Sequence, residues 1–226
     1  SKTQWHFSND DIRHTPSILD GSAMAQQQQP QQGTGSAPGS SSSLNSLSLQ
    51  PVDAEKLLRT KGCYAVLRVG MMLKLPIDTI ATACTLLHRY YMRRSFKFSN
   101  YYLISATSIF VACKIEETPR KLHDVIIYIA QRSLKNDRLW LEVASKEYQN
   151  WQNNILACES DLLDKCCFDM EMDHPHTYMV QLCKQLGIRR RFAIRAWAFV
   201  CDSLLTTLCL THSPRVVAMA SLLMAI

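Results

Sequence analysis

The stretch that decides the fold runs from Leu103 to Pro119 and reads LISATSIFVACKIEETP. As far as Cys113 it carries no charge, so a helix here would be apolar on most sides. Small residues recur in it and would keep that helix slim: Ser105, Ala106, Ser108 and Ala112. A helix that is apolar on most sides is normally central, with neighbouring helices packed around it. The stretch therefore predicts a central helix over about residues 100–115, followed by a charged turn.

Helical periodicity continues on both sides of this segment. A first apolar stripe begins after Asp53, and Pro76 suits the first turn of a second helix. Thr118 and Pro119 fit the N-cap and first residue of a fourth helix, and a long fifth helix should end near Cys166. No segment shows the period-two alternation that would indicate a strand convincingly. The sequence therefore predicts an all-α fold.

Further helices are expected downstream, and one of them echoes the central helix. The expected segments are His174–Leu186, Arg190–Leu210 and a last helix that starts at Ser213-Pro214. Its sequence VVAMASLLMA, at Val216–Ala225, resembles LISATSIFVA at Leu103–Ala112. This echo suggests two copies of a five-helix unit, the second cut off after its third helix begins, in a fragment of a longer protein. The expected organisation is an N-terminal segment with a short helix (1–20), a flexible Gln/Ser/Gly/Pro-rich insertion (21–51), a first unit (52–170) and an incomplete second unit (171–226).

Composition narrows the classes of function. The 226 residues are 47% hydrophobic, which allows a sizeable core, and the net charge of +6 permits an acidic partner without demanding nucleic acid. Nine cysteines include no CxxC pair, which argues against a zinc site, and their odd number without a signal peptide suggests a reducing compartment. No nucleophile motif or glycine-rich phosphate loop is present, so we expect no active site and no cofactor.

Two charged residues do not fit the pattern of their helices. Lys114 follows Phe110 by four positions on an apolar stripe, and Glu159 follows Ile155 by four on the fifth helix. A lysine in the last turn of a helix also suits the helix dipole. One lysine and one glutamate on core-facing stripes of neighbouring helices invite pairing, although a buried pair is a costly way to gain stability. On the sequence alone, a structural ion pair and a binding anchor are equally acceptable interpretations.

These residues carry a resemblance to a known family. VACKIEETP, at Val111–Pro119, resembles the signature that ends the third helix of a cyclin box. Glu159 lies nine residues before Phe168-Asp169, as in the fifth helix of that box, and HRYY at His88–Tyr91 resembles the end of its second helix. The Trp-x-Phe start and HTPS, at His14–Ser17, resemble the N-terminal segment of the transcription-type cyclins.

The resemblance implies a cyclin fold and a regulatory rather than catalytic role. A protein of this kind binds and activates a cyclin-dependent kinase, here a transcriptional one that acts in the nucleus on the repeat tail of RNA polymerase II. No membrane and no direct nucleic-acid contact are expected. The residues that the resemblance assigns to the kinase interface are Lys114, Glu159, Val111, Ile115, Glu117, Leu163 and Phe168.

Two other classes of protein remain open. A general transcription adaptor of the transcription factor IIB type shares the double five-helix fold and binds DNA and polymerase. Such adaptors carry an N-terminal zinc ribbon, and this chain has no cysteine before Cys63. The other class is an all-helical enzyme. The sequence contains no nucleophile, metal or phosphate motif, which argues against this class.

Overall fold

The computed structural model describes residues 4–20 and 51–226, and within these ranges it contains helices and no strand. The prediction of an all-α fold is therefore confirmed. Almost all of the segment expected to be a flexible insertion, residues 21–51, lies outside the described residues.

Ten helices can be numbered in the described residues, and a helical turn over residues 16–20 follows the first of them. Their bounds are α1 Asn9–Arg13, α2 Pro51–Met72, α3 Ile77–Arg93, α4 Tyr101–Ile115, α5 Leu122–Ser133, α6 Lys146–Lys165, α7 Pro175–Gln185, α8 Arg190–Ser203, α9 Leu208–Thr211 and α10 Pro214–Ala225.

Helix α4 is the central helix that the sequence predicted. It packs against α2, α3, α5 and α6, and its residues from Ile104 to Ile109 are fully buried. Small residues allow the close approach to α2, where the Ser105 hydroxyl donates to the Gly62 carbonyl over 3.0 Å. A Cβ atom at Gly62 would lie only 3.0 Å from Cδ1 of Leu87, so the glycine has a packing reason.

Two clusters of buried apolar side chains form two cores. The first is built by α2 to α6 around α4 and also takes in Leu204. The second is smaller, lies among α7, α8 and α10, and contains Met179, Ala196, Val200, Ala218, Leu222 and Ala225. Residues 166–174 connect α6 to α7 and so carry the chain from the first core to the second.

The N-terminal segment is fixed to the first core by a buried polar network. The Thr15 hydroxyl and the Arg59 Nε both donate to the carboxylate of Glu55, the second over 2.7 Å. Arg59 also donates to the backbone carbonyl of His88 over 2.9 Å. Because each charged group has partners, the network avoids the cost of an uncompensated buried charge.

Two expected helix boundaries are wrong. The fourth helix does not start at Thr118 and Pro119, because the amide of Thr118 closes the end of α4 by donating to Cys113; α5 instead starts after Lys121. The expected helix from Arg190 to Leu210 is interrupted after Ser203. There the hydroxyls of Ser203 and Thr206 bond nearby backbone carbonyls, at 2.6 and 2.8 Å, and so compete with helix propagation.

Candidate functional site

The KIEETP signature forms the turn that ends α4. Glu116 is the C-cap, and its amide donates to the Ala112 carbonyl over 2.9 Å. The Thr118 amide reaches back to the Cys113 carbonyl over 3.0 Å, which is the six-to-one bond of a Schellman motif. Glu117 therefore occupies the left-handed position, with φ of 51°, that glycine most often takes. The side chains alternate in the turn: those of Lys114 and Glu117 are exposed, and that of Glu116 is half-buried.

Lys114 and Glu159 form an ion pair between α4 and α6. The distance from Lys114 Nζ to Glu159 Oε1 is 2.5 Å, and Nζ also lies 4.2 Å from the centre of the Phe110 ring. The pairing inferred from the sequence is thus present, but its burial was overestimated. The side chains are 50% and 21% exposed, because both residues lie at the rim where the two helices meet solvent. An exposed pair of this kind contributes at most about 1 kcal/mol to stability.

The second turn of the site ends α6. Cys166 is the C-cap, and the next two residues, Cys167 and Phe168, both have φ of 53°. The amide of Phe168 donates to the Leu163 carbonyl over 3.0 Å and holds this conformation. Left-handed conformations cost about 1–2 kcal/mol for each non-glycine residue, and such strain is concentrated at functional sites. The turn presents the Phe168 ring with 68% of its surface exposed.

The remaining sequence-predicted site residues are not equally accessible. Ile115 and Leu163 are half-buried and pack on the first core, so each keeps part of its surface open. Val111 is only 2% exposed and belongs to the first core, on which the exposed side chains of the site rest. The structure joins Lys114 and Glu159 directly and places the exposed residues Glu117 and Phe168 on the turns that follow their helices.

Sequence reasoning missed the partner of Glu116. Its Oε1 accepts a hydrogen bond of 2.6 Å from the Thr82 hydroxyl of α3, which turns this carboxylate inward. From the sequence, no role was predicted for Glu116. The available signal was Thr82, a hydroxyl that lies between the apolar pairs Ile80-Ala81 and Ala83-Cys84 of α3.

The buried thiol at the end of α6, that of Cys166, does not behave as a reactive group. Burial raises the pKa of Cys166 to about 12, so its thiol stays protonated at neutral pH. All nine cysteines are free thiols. In the described ranges, no cluster of His, Cys, Asp or Glu could hold a metal ion, and no helix is long and apolar enough to span a membrane.

Comparison with known proteins identifies the family. The family model described as "Cyclin, N-terminal domain" matches residues 40–171, which include α2 to α6 and both turns of the site. This chain belongs to the cyclin family. The signature at the end of α4 and the Phe-Asp turn after α6 therefore lie in a true cyclin domain, as the resemblance indicated.

The relatives of this cyclin are of the transcription type. Cyclin pch1 from Schizosaccharomyces pombe is 34% identical over 220 residues, which are 97% of this chain and 56% of that protein. Cyclin-K from Homo sapiens is 31% identical over 229 residues, which cover 100% of this chain and 34% of that protein. The cyclin chain thus spans about half of the first relative and about a third of the second.

Solved structures show the same fold. A chain in the crystal structure of the yeast RNA Pol II CTD kinase CTDK-1 complex superimposes with a TM-score of 0.68 at 20% identity. The superposition covers 76% of this chain and 55% of that chain. The cyclin fold expected from the sequence is confirmed.

Proposed function

We propose that this cyclin is the regulatory subunit of a transcriptional cyclin-dependent kinase, which it binds and activates. The kinase would act in the nucleus on the C-terminal repeat tail of RNA polymerase II. Support comes from relatives that are transcription-type cyclins and from the likeness to a chain of a polymerase-tail kinase complex. The catalytic machinery would belong to the kinase, and this chain would supply the surface that positions it.

The observation that carries the proposal is the Lys114–Glu159 pair. Each partner keeps unused hydrogen-bonding capacity, because an ammonium group has three donors and a carboxylate has two oxygens. The pair therefore offers donors and acceptors together to the backbone of a kinase segment. The exposed ring of Phe168 and the open parts of Ile115 and Leu163 would supply the apolar contact beside it. Glu117 would add an acceptor at the edge, whereas Val111 would act by supporting the surface.

We further propose that the two cores correspond to two cyclin boxes. The first box would comprise residues 52–170 and the second would begin at residue 171. The two clusters of buried apolar side chains support this division, because apart from Cys166 and Leu204 they lie on either side of the connection at residues 166–174. All proposed kinase contacts belong to the first box.

The test is to truncate each member of the pair. The kinase is first identified by co-purification with the chain and mass spectrometry, and then produced as a pure protein. Lys114→Ala, Glu159→Ala and the double variant should melt close to wild type, because the pair is exposed. Their affinity for the kinase should fall at least about tenfold, which corresponds to about 1.4 kcal/mol.

Lys56→Ala provides the matched control. Lys56 forms an exposed pair with Asp53 on α2, with Nζ and Oδ1 3.5 Å apart. Its removal should change neither melting nor kinase affinity. Early melting of the Lys114 and Glu159 variants, with binding that follows only the folded fraction, would show a structural strut instead of an anchor. A chain that binds no kinase but binds duplex DNA with strong salt dependence would support the transcription-adaptor alternative.

A further inference from the structure

A chain of hydrogen bonds connects the signature turn to the start of the second core. Its three members are Glu116 after α4, Thr82 on α3 and His174 before α7. The distance from Glu116 Oε1 to Thr82 Oγ1 is 2.6 Å, and that from Thr82 Oγ1 to His174 Nε2 is 2.7 Å. Thr82 is fully buried and His174 is only 9% exposed, so the bond between them is shielded from bulk water, whereas Glu116 is half-buried.

The direction of the protons follows from the chemistry of the three groups. Thr82 has one hydroxyl proton, and the carboxylate of Glu116 can only accept. Thr82 therefore donates to Glu116, and the lone pair of its oxygen accepts from Nε2–H of His174. Burial lowers the pKa of His174, which favours the neutral ring. Because Thr82 has already given its proton to Glu116, the bond to His174 requires the ring proton on Nε2. Each donor among the three groups has a matching acceptor, so loss of Thr82 removes a hydrogen bond from both Glu116 and His174.

Glu116 and His174, the two end members of the hydrogen-bond chain, both lie at the ends of helices. Glu116 is the C-cap of α4 and lies two residues after Lys114. His174 is the N-cap residue of α7, which is the first helix of the second core. Thr82 lies in the second turn of α3 and bridges them across 34 residues on one side and 92 on the other. A second contact fixes the same turn to α3, since the hydroxyl oxygens of Thr79 and Thr118 are 3.0 Å apart.

We propose that Glu116 is a positioning residue. Through its hydrogen bond to Thr82, and through the bond from Thr82 to His174, it couples the signature turn to the start of α7 in the second core. Glu116 does not contact the partner itself. It holds the turn that presents Lys114 and Glu117, and a displacement at the start of α7 changes the order of that turn. This inference rests on the proposed function where it concerns kinase affinity, but the coupling itself is a property of the free chain.

The decisive experiment changes His174, at one end of the hydrogen-bond chain, and measures the order of the turn around Glu116, at the other end. His174→Phe removes the Nε2–H donor, and the exchange rates of the Glu116 and Thr118 amides are then followed by hydrogen–deuterium exchange on the full chain. Both amides are hydrogen-bonded in the turn, to Ala112 and Cys113, so loosening becomes visible as faster exchange. We expect about tenfold faster exchange in this variant and in Thr82→Val, which keeps the shape of the side chain.

Three further variants separate positioning from general loosening. Thr85→Val is the matched control, because the Thr85 hydroxyl, one turn further along α3, donates to the Ala81 carbonyl of its own helix over 2.9 Å. It should leave the exchange of the turn unchanged. Glu116→Gln keeps an oxygen that accepts from Thr82 and should retain slow exchange, whereas Glu116→Ala should behave like Thr82→Val.

Kinase affinity gives the second readout. His174→Phe, Thr82→Val and Glu116→Ala should each weaken binding about tenfold, and Glu116→Gln should bind like wild type. Unchanged amide exchange in both His174→Phe and Thr82→Val would overturn the coupling, as would equal acceleration in the Thr85→Val control. A wild-type chain that binds no kinase would contradict the proposed function. The coupling would then be tested by the amide-exchange experiment alone, which does not depend on kinase binding. A Glu116→Gln variant that binds poorly while its turn stays ordered would show that Glu116 touches the partner, against the positioning role.

Discussion

Glu117 occupies a left-handed backbone position that glycine usually fills. With φ of 51° it bears a steric cost, and the same holds for Lys135 after α5 and for Cys167 and Phe168 after α6. Lys135 has the same motif as Glu117, since the next amide, that of Asn136, donates back to Gln131 over 3.0 Å. The two positions are thus equivalent in backbone geometry and differ in whether they lie in the signature turn.

We predict that Glu117→Gly weakens kinase binding without destabilising the chain. Glycine relieves the left-handed strain, so the free energy of unfolding should stay equal or rise by up to about 1 kcal/mol. Lys135→Gly should show the same effect on chemical denaturation. Kinase affinity should fall several-fold in Glu117→Gly and stay constant in Lys135→Gly. Equal affinities in the two variants would remove Glu117 from the proposed interface.

A second prediction concerns His176, at the start of α7. Burial lowers the pKa of His176 to about 4, well below the ordinary value near 6.5 that it regains in the unfolded chain. The unfolded chain therefore binds more protons as the pH falls from about 6.5 towards 4, and stability is lost in that interval. His174, whose pKa burial also lowers, adds a contribution of the same sign.

The measurement is the melting temperature as a function of pH. His176→Phe keeps an aromatic ring beside Trp197, whose ring centre is 5.1 Å away in the native chain, and removes the titration. Its melting temperature should fall less steeply than that of wild type between pH 6.5 and 4. His212→Phe, a change at an exposed histidine, should keep the wild-type slope. Parallel curves for wild type and His176→Phe would show that His176 is not the titrating group.

At the scale of elements, the first core depends on how closely α2 approaches its neighbours. Gly62 and Gly70 both lie in α2, a helix of 22 residues, and both are buried. A Cβ at Gly70 would lie 2.7 Å from Cγ1 of Ile80 on α3, whereas a Cβ at Gly62 meets the mobile end of Leu87 at 3.0 Å. The two glycines therefore set the spacing between helices to different degrees.

We predict that Gly70→Ala destabilises the chain although alanine favours the helix. Alanine gains about 1 kcal/mol of helix propensity over glycine, but overpacking a core costs typically about 1–3 kcal/mol. At Gly70 the overpacking should dominate, because Cγ1 of Ile80 is close to the backbone and cannot move freely. At Gly62 the two effects should nearly cancel. Urea denaturation of both variants would test this order, and a Gly70→Ala variant as stable as Gly62→Ala would contradict it.

At the scale of the whole molecule, the N-terminal segment holds distant parts together. Trp5 is 4% exposed, and its ring faces the guanidinium groups of Arg89 and Arg93, which lie 4.6 and 4.8 Å from the ring centre. Two residues later, the amide of Phe7 donates to the Leu210 carbonyl over 2.9 Å. The segment therefore contacts α3 of the first core and also α9, which precedes the last helix of the second.

We predict that Trp5→Ala lowers the free energy of unfolding by about 3–5 kcal/mol, the usual range for a buried large aromatic residue. Phe98→Ala is the control, because Phe98 also faces a guanidinium group, that of Arg94 at 5.4 Å, but is 69% exposed. Its removal should cost less than about 1 kcal/mol. Comparable losses in both variants, measured by urea denaturation, would show that Trp5 does not act as a buried anchor.

The sequence by itself determined the helical class, the central position of α4 and the two turns of the candidate site. These features follow from local causes: uncharged helical periodicity, small residues on one segment, and a signature whose spacing is fixed along the chain. The pairing of Lys114 with Glu159 was also predictable, because both interrupt apolar stripes.

Only the tertiary structure decided how exposed that pair is and what Glu116 does. The exposure depends on where α4 and α6 diverge, and the helix boundaries at Leu122 and Ser203 depend on side-chain and backbone hydrogen bonds that compete with helix formation. The connection from Glu116 through Thr82 to His174 joins residues 34 and 92 positions apart. Such contacts arise from the packing of whole helices, and no local pattern along the chain encodes them.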